Sequence, residues 1–367
     1  FKIHRALTTA QLDELRGLVP DLIRNENFVH TRLSHLQPGA DTNPVIDPAA
    51  REAYLDRTWK FVKGLQPSFN SLKAHILYQR LVHDRAVGKP DAARFLAYVK
   101  LPRQSPHIRP EWKRNHKAAW QHAADCSKDY RSWTGLPPIG NDELLVGAYL
   151  LHFLKDADNF DTYAPYLAES WLKARFAEAK ILNGIGDPER WASLLSPSAF
   201  QALKERVDVE FDPAHQAVAA GNGAPTNALQ FGIDDSVRLR LHVKNVRKLL
   251  VKVFEINTLN YYRETGRELS TDLQLDGLVA NHERSFEYTE APARRVARDF
   301  AFPEIGKRRG VWVVEFIGGG RSSRAVIRKG KLEALATIGA AGSTIQVLDE
   351  SHQPVQGAAV WLGKRRF

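Results

Sequence analysis

The sequence predicts an α+β, multidomain chain in which an all-helical N-terminal region precedes an antiparallel β-sandwich. Three observations predict it. From Thr8 to about Arg206, apolar residues recur at helical spacing, broken by proline and glycine. Beyond that the period drops to two. Val237, Leu239, Leu241 and Val243 alternate with Arg238, Arg240, His242 and Lys244, which sets the apolar side chains on one face of a half-buried strand. Further short apolar runs follow, divided by Gly306, Gly310 and Gly318 to Gly320, the rhythm of a sandwich.

The first helix opens at Thr8, a capping residue, and Leu12, Leu15, Leu18 and Leu22 follow as one face. Asp47 and Pro48 open a second helix through Leu55, Trp59 and Val62. Pro67 opens a third, carrying Leu72, Ile76, Gln79 and Val82 and closed by Lys89, Pro90 and Asp91. Residues 134–140, with Gly135, Pro137, Pro138 and Gly140, divide the helical region 1–206 into two bundles. Strands are expected at 249–256, 286–288, 297–302, 311–317 and 323–328, completing a sandwich over 207–332, with a Gly/Ala/Asn loop at 214–227. Residues 344–348, a turn at 349–354 and residues 357–362 read as the first hairpin of a further sandwich domain over 333–367, truncated at Phe367.

With 367 residues and 43% hydrophobic content, the chain can bury two or three cores. The most apolar stretch, Leu144 to Leu154, is short and contains His152, so no membrane span is expected. The net charge of +10 is spread: residues 1–205 hold 28 Lys and Arg against 23 Asp and Glu, and residues 206–367 hold 24 against 19. That spread argues against nucleic acid as a partner. Local basic clusters stand at Arg109 to Lys117, Lys307 to Arg309 and Lys364 to Arg366. Cys126 is the single cysteine and has neither a disulfide partner nor a second thiol for a metal or redox pair.

No catalytic constellation is expected. His30 and His35 are five apart and miss the i, i+4 spacing of a helical zinc pair. Asp156, Asp158 and Asp161 start like a calcium loop but lack its glycine and closing acid. Asp272, Asp276, Glu283 and Glu287 lie beside Arg263, Arg267 and Arg284 and read as surface ion pairs. Ser322 and Ser323 lack a nucleophile elbow. No metal and no cofactor is expected.

Leu250 to Ile256 before Asn257, Gly310 to Phe316 with Ser322 to Arg328, and Ile345 to Asp349 with Pro354 and Gly357 form the pattern that carries a family resemblance. It resembles the strands of macroglobulin (MG) domains in bacterial alpha-2-macroglobulin-like proteins. The resemblance implies an Ig-like or MG-like sandwich in a non-catalytic scaffold linked to protease inhibition or envelope defence. Its implied partners are proteins, namely other domains of the same chain and proteases, in a bacterial periplasm or cell envelope. The family's reactive Cys-Gly-Glu-Gln motif is absent, and Cys126 does not supply it. The alternative reading places a ligand-binding or hydrolytic module in the aromatic-rich helices, at Trp112, Trp120, Tyr130 and Trp133, with the sandwich as accessory.

Overall fold

The computed structural model describes residues 3–39, 44, 47–211, 217–218, 225–226, 228–266, 269, 273–275, 277–340, 342–362 and 365–366. Asp272, Asp276, Arg267, Lys364 and most of the 214–227 loop lie outside them. The chain divides into two compact units, residues 1–205 with 218–225 and residues 206–217 with 226–367.

In the first unit the expected caps hold. Thr8 and Gln11 form a capping box at the start of α1 (Thr9–Leu18). The Asn25 side chain accepts from Phe28 N–H to open α2 (Glu26–Leu36), and Asp47 accepts from Ala49 and Ala50 to open α3 (Pro48–Val62). A 3₁₀ turn at Pro67–Phe69 leads into α4 (Asn70–Ala86), and Asp91 caps α5 (Ala92–Lys100). After them come α6 (Pro110–Asn115), α7 (Lys117–Trp120), α8 (Arg131–Thr134), α9 (Glu143–Leu154), α10 (Glu169–Leu182), α11 (Pro188–Ala192) and α12 (Pro197–Glu205). The leucine face of α1 is shorter than expected: Leu12 is buried but Leu18 is 75% exposed, because Pro20 ends the helix before the stripe can continue.

Residues 134–140 interrupt the helices without separating two cores. Leu77, Leu81, Phe95 and Tyr98 pack in one cluster with Leu145, Tyr149, Leu150 and Leu172 from the far side of that segment. Tyr54 hydroxyl donates to Thr134 O at 2.5 Å, and Tyr149 hydroxyl donates to Leu81 O at 2.9 Å. Each buried ring thus keeps its polar end satisfied.

The second unit is a sandwich of two sheets. One has the order β1 (Asp208–Phe211), β5 (Arg238–Lys244), β8 (Arg295–Ala301). The other has the order β4 (Ala228–Phe231), β10 (Arg321–Lys329), β9 (Gly310–Gly318), β6 (Lys248–Ile256), β7 (His282–Glu287). Short strands β2 (Ala217–Val218) and β3 (Pro225–Thr226) pair with each other. The expectation of purely antiparallel sheets is corrected at β4, which runs parallel to β10 with Ile327 opposite Leu229. The alternation of β5 appears as expected, with Leu239 and Leu241 fully buried against Leu249, Val251, Phe300 and Phe316. The longer apolar runs of β9 and β10 have a different cause. Val313 and Val326 face away from that core and are covered by Leu269, Leu273, Leu275 and Tyr261 of the excursion that carries α13 (Thr258–Thr265). Strands buried on both faces lose their alternation.

The last expected hairpin is corrected in part: the turn at 349–354 forms, with Val355 N–H donating to Val347 O at 2.8 Å, but the second arm does not continue the pairing. Residues 344–348 lie within β12 (Gly342–Leu348), which pairs upstream with β11 (Glu333–Gly339), not with 357–362. Gly339 and Gly342 make the turn, and only Trp361 and Leu362 of the expected second arm are in a strand, β13 (Trp361–Leu362), paired with β14 (Arg365–Arg366). Glu350 holds the base of the ribbon. It accepts from Arg309 at 2.6 and 3.1 Å and from the Lys331 N–H at 2.8 Å, and these bonds hold its carboxyl at about 2, below the usual range.

Candidate functional site

In the helical unit residues 109–122 form an exposed segment, as do residues 13–27 and 183–202. None of residues 109–122, which include α6 and α7, is buried. Pro110 fits the first turn of α6, where its missing N–H is no loss, and Glu111 sits in that first turn with Lys113 and Arg114 in the last, the favourable order for the helix dipole. Half-buried Trp112 anchors the segment by edge-to-face contacts with Trp120 at 5.4 Å and Tyr166 at 5.3 Å.

Next to this ridge in the chain stands a deeply buried polar network, the stem. Arg103 is 0% exposed, and His107 and Asp142 are 2% exposed. Arg103 Nε donates to Asp142 Oδ2 at 2.7 Å, and its Nη1 donates to the Tyr98 and Val99 carbonyls at 3.0 and 3.1 Å. Arg103 Nη2 lies 3.2 Å from His107 Nε2. Arginine can only donate, so Nε2 accepts and the neutral ring carries its proton on Nδ1, directed at Ser105 Oγ 3.1 Å away. The Ser105 hydroxyl then donates to Asp142 Oδ1 at 2.8 Å. A serine, a histidine and an aspartate meet here in an order unsuited to nucleophile activation, since the hydroxyl proton goes to the carboxylate.

Burial lowers His107 to about 4 against the pull of Asp142, so the ring is neutral at neutral pH. Burial pushes the Asp142 carboxyl up, but the charge and hydrogen bond of Arg103 outweigh it and leave it below the usual range. Backbone bonds fix both ends of the ridge. Gln104 N–H donates to Ala124 O and Ala124 N–H to Pro102 O on one side, while Arg109 N–H donates to Tyr166 O and Ala168 N–H to His107 O on the other. Arg109 Nη1 donates to Ala164 O at 2.7 Å.

Charge is distributed unevenly over this surface. Elsewhere in the unit several cations meet carboxylates: Arg32 with Asp13 at 2.8 Å, Arg80 with Asp56 at 2.5 Å, Arg175 with Glu178 at 2.6 Å. On the ridge Glu111 serves both Arg109 and Arg114, at 3.3 and 2.9 Å. Among the described residues no carboxylate lies within ion-pair distance of Lys100, Lys113 or Lys117. Lys113 and Lys100 lie instead over the Trp120 and Tyr166 rings, at 5.4 and 5.7 Å. Residues 109–117 carry four cations against Glu111 and so hold three of the five excess charges of residues 1–205.

The four aromatic residues singled out from sequence fall into two pairs. Trp112 and Trp120 form the base of the ridge and pack on the core that contains Tyr149. Tyr130 and Trp133 belong to the second core, around Tyr54 and Leu72, with His30 stacked on Trp133 at 3.9 Å. Sequence reasoning missed Arg103, His107 and Asp142. Asp142 looks like a helix cap, yet its side chain caps nothing and turns to Arg103. His75 is buried, with Nε2 3.3 Å from Thr134 Oγ1, and Ser323 donates to Val209 O. Among the described residues no three His, Cys, Asp or Glu side chains converge as a metal site, and no helix is long and apolar enough to cross a membrane.

Comparison with known proteins places these features. Residues 1–207 match the family described as actin-binding protein F N-terminal domain, and residues 249–330 match the AbpF first immunoglobulin-like domain. Actin-binding protein F of Dictyostelium discoideum is 31% identical over 371 residues, covering 99% of this chain and 15% of that protein. A solved structure of native alpha-2-macroglobulin from Escherichia coli, spanning domains MG0-NIE-MG1, matches at 14% identity. It covers 40% of this chain and 46% of that one at a TM-score of 0.27, too low to carry an argument. The sandwich is thus immunoglobulin-like, as expected. The rest of the resemblance is corrected: a bacterial alpha-2-macroglobulin-like scaffold in a periplasm or envelope, and the ligand-binding or hydrolytic alternative, both give way to the match with the Dictyostelium protein and its N-terminal domain. The first of these family matches covers more than half of the chain, and this protein belongs to the actin-binding protein F N-terminal domain family.

Proposed function

We propose that this chain is an actin-binding segment of a larger cytoskeletal protein, that its helical unit makes the contact with actin, and that the immunoglobulin-like unit is a spacer. The carrying observation is the match of residues 1–207 to the N-terminal domain of a protein named for actin binding, with 31% identity to the Dictyostelium relative over 99% of the chain. The chain spans 15% of that relative, so the activity of the whole protein extends beyond this segment. The work is binding, not catalysis. The arrangement of the helical unit supports this reading: a buried stem adjoins an exposed face of Lys and Arg residues over half-buried Trp112 and Trp120, and Trp and Arg are types enriched at protein interfaces.

Co-sedimentation with filamentous actin tests the proposal. Residues 1–367 are expected to pellet with filaments in a saturable manner. A chain that stays in the supernatant across the titration would refute it.

A further inference from the structure

We propose that the ridge formed by Lys100, Arg109, Lys113, Arg114 and Lys117 is the docking face of the helical unit, and that it fits an acidic protein surface. The proposal rests on the actin reading above and adds the face and the chemistry of the contact. Three observations carry it. Four of the five cations are gathered on one exposed segment whose only acid, Glu111, already serves two arginines, and Glu169, which Arg109 also influences, is itself paired with Lys173, so the segment keeps excess positive charge. Like charges held together repel, and an acidic partner relieves that repulsion while steering the encounter.

The segment is also held in advance. The Arg103, His107 and Asp142 network and the backbone bonds at both ends fix it before any partner arrives, which reduces the ordering entropy that binding must overcome. Finally, Trp112 and Trp120 give the short helices α6 and α7 an apolar base beneath their lysines, joining aromatic surface to positive charge. A short exposed ridge on two short helices suits a protein face. A nucleic-acid contact would favour a longer basic track, and several of the unit's other cations are ion-paired, Arg32, Arg80 and Arg175 among them.

The test compares the whole chain, the triple variant K113S/R114S/K117S and a control variant K60S/K63S/K89S that removes three exposed lysines from elsewhere on the same unit. Each is titrated in co-sedimentation with filamentous actin at about 50 and about 200 mM salt, and against phosphatidylserine vesicles and single-stranded DNA. The triple variant is expected to bind filaments about 10-fold more weakly or worse at low salt, with the control within about 2-fold of the unmodified chain. Raising the salt should weaken the unmodified chain severalfold and the triple variant much less. All substituted positions are exposed, so the circular dichroism and melting of both variants should match the parent.

Equal filament binding by the parent and the triple variant overturns the ridge and leaves the actin reading standing. No filament binding by the parent overturns both. Loss of vesicle or DNA binding in the triple variant, with filament binding kept, assigns the ridge to another anion and overturns the protein face.

Discussion

Acidification should destabilise the helical unit through two buried histidines. His75 lies wholly inside the unit, and burial lowers it to about 4 despite the pull of Asp129. Thr134 Oγ1 donates to Tyr130 O at 2.9 Å, so it accepts from His75 Nε2–H, and the second proton would fall on Nδ1, which is buried without a partner. His107 is likewise lowered to about 4 by burial, with Asp142 and Glu143 pulling up and Arg103 pushing down. Both therefore have folded values below the ordinary histidine value of about 6.5, so their stabilisation is complete above that pH and is lost as pH falls toward 4. At about pH 5 each unfolded ring gains protonation free energy that the folded one cannot, a factor of about 30 or about 2 kcal/mol per site. Burial lowers His30 and His83 too, in the same direction. Urea titrations followed by helical circular dichroism at about pH 7.5 and about pH 5 should therefore differ by about 4 kcal/mol. H75Q and H107Q should each have a shallower pH dependence than the parent. Equal stabilities at the two pH values, or parental slopes in both variants, would refute the reasoning.

Removing the carboxylate of the stem in D142A leaves Arg103 charged and buried, and should destabilise the helical unit by about 3–5 kcal/mol in the same urea assay. Burial pushes the Cys126 thiol up to about 11, so Ellman's reagent should label it slowly in the native chain and promptly in denaturant; prompt native labelling would count against the packing. In the sandwich, a Cβ at Gly318 would meet Val246 Cγ1 at 2.5 Å and Leu249 Cδ1 at 3.1 Å. G318A should cost about 1–3 kcal/mol, seen as faster hydrogen exchange of the β9 and β10 amides with the helical unit unchanged.

What the sequence revealed was local. The caps at Thr8 and Asp47 and the alternation of β5 are short-range signals, and the chain obeys them. β11 went unread because its sequence, Glu333 to Gly339, is poor in β-branched and aromatic residues, and it forms a strand only by pairing with β12. The core that crosses residues 134–140 was hidden by the proline and glycine signals, which mark a chain reversal but not a domain edge. For the candidate site, the basic cluster from Arg109 to Lys117 was visible. Its stem was not, because Arg103 and Asp142 are 39 residues apart and no periodicity links them.

Hydrogen exchange of the whole chain, free and on filamentous actin, asks most directly whether a preformed basic ridge of the helical unit makes the contact. The amides of residues 109–122 should gain protection on filaments, while those of the buried stem, already slow, should change little. Protection confined to the sandwich, with residues 109–122 exchanging as in the free chain, would contradict it.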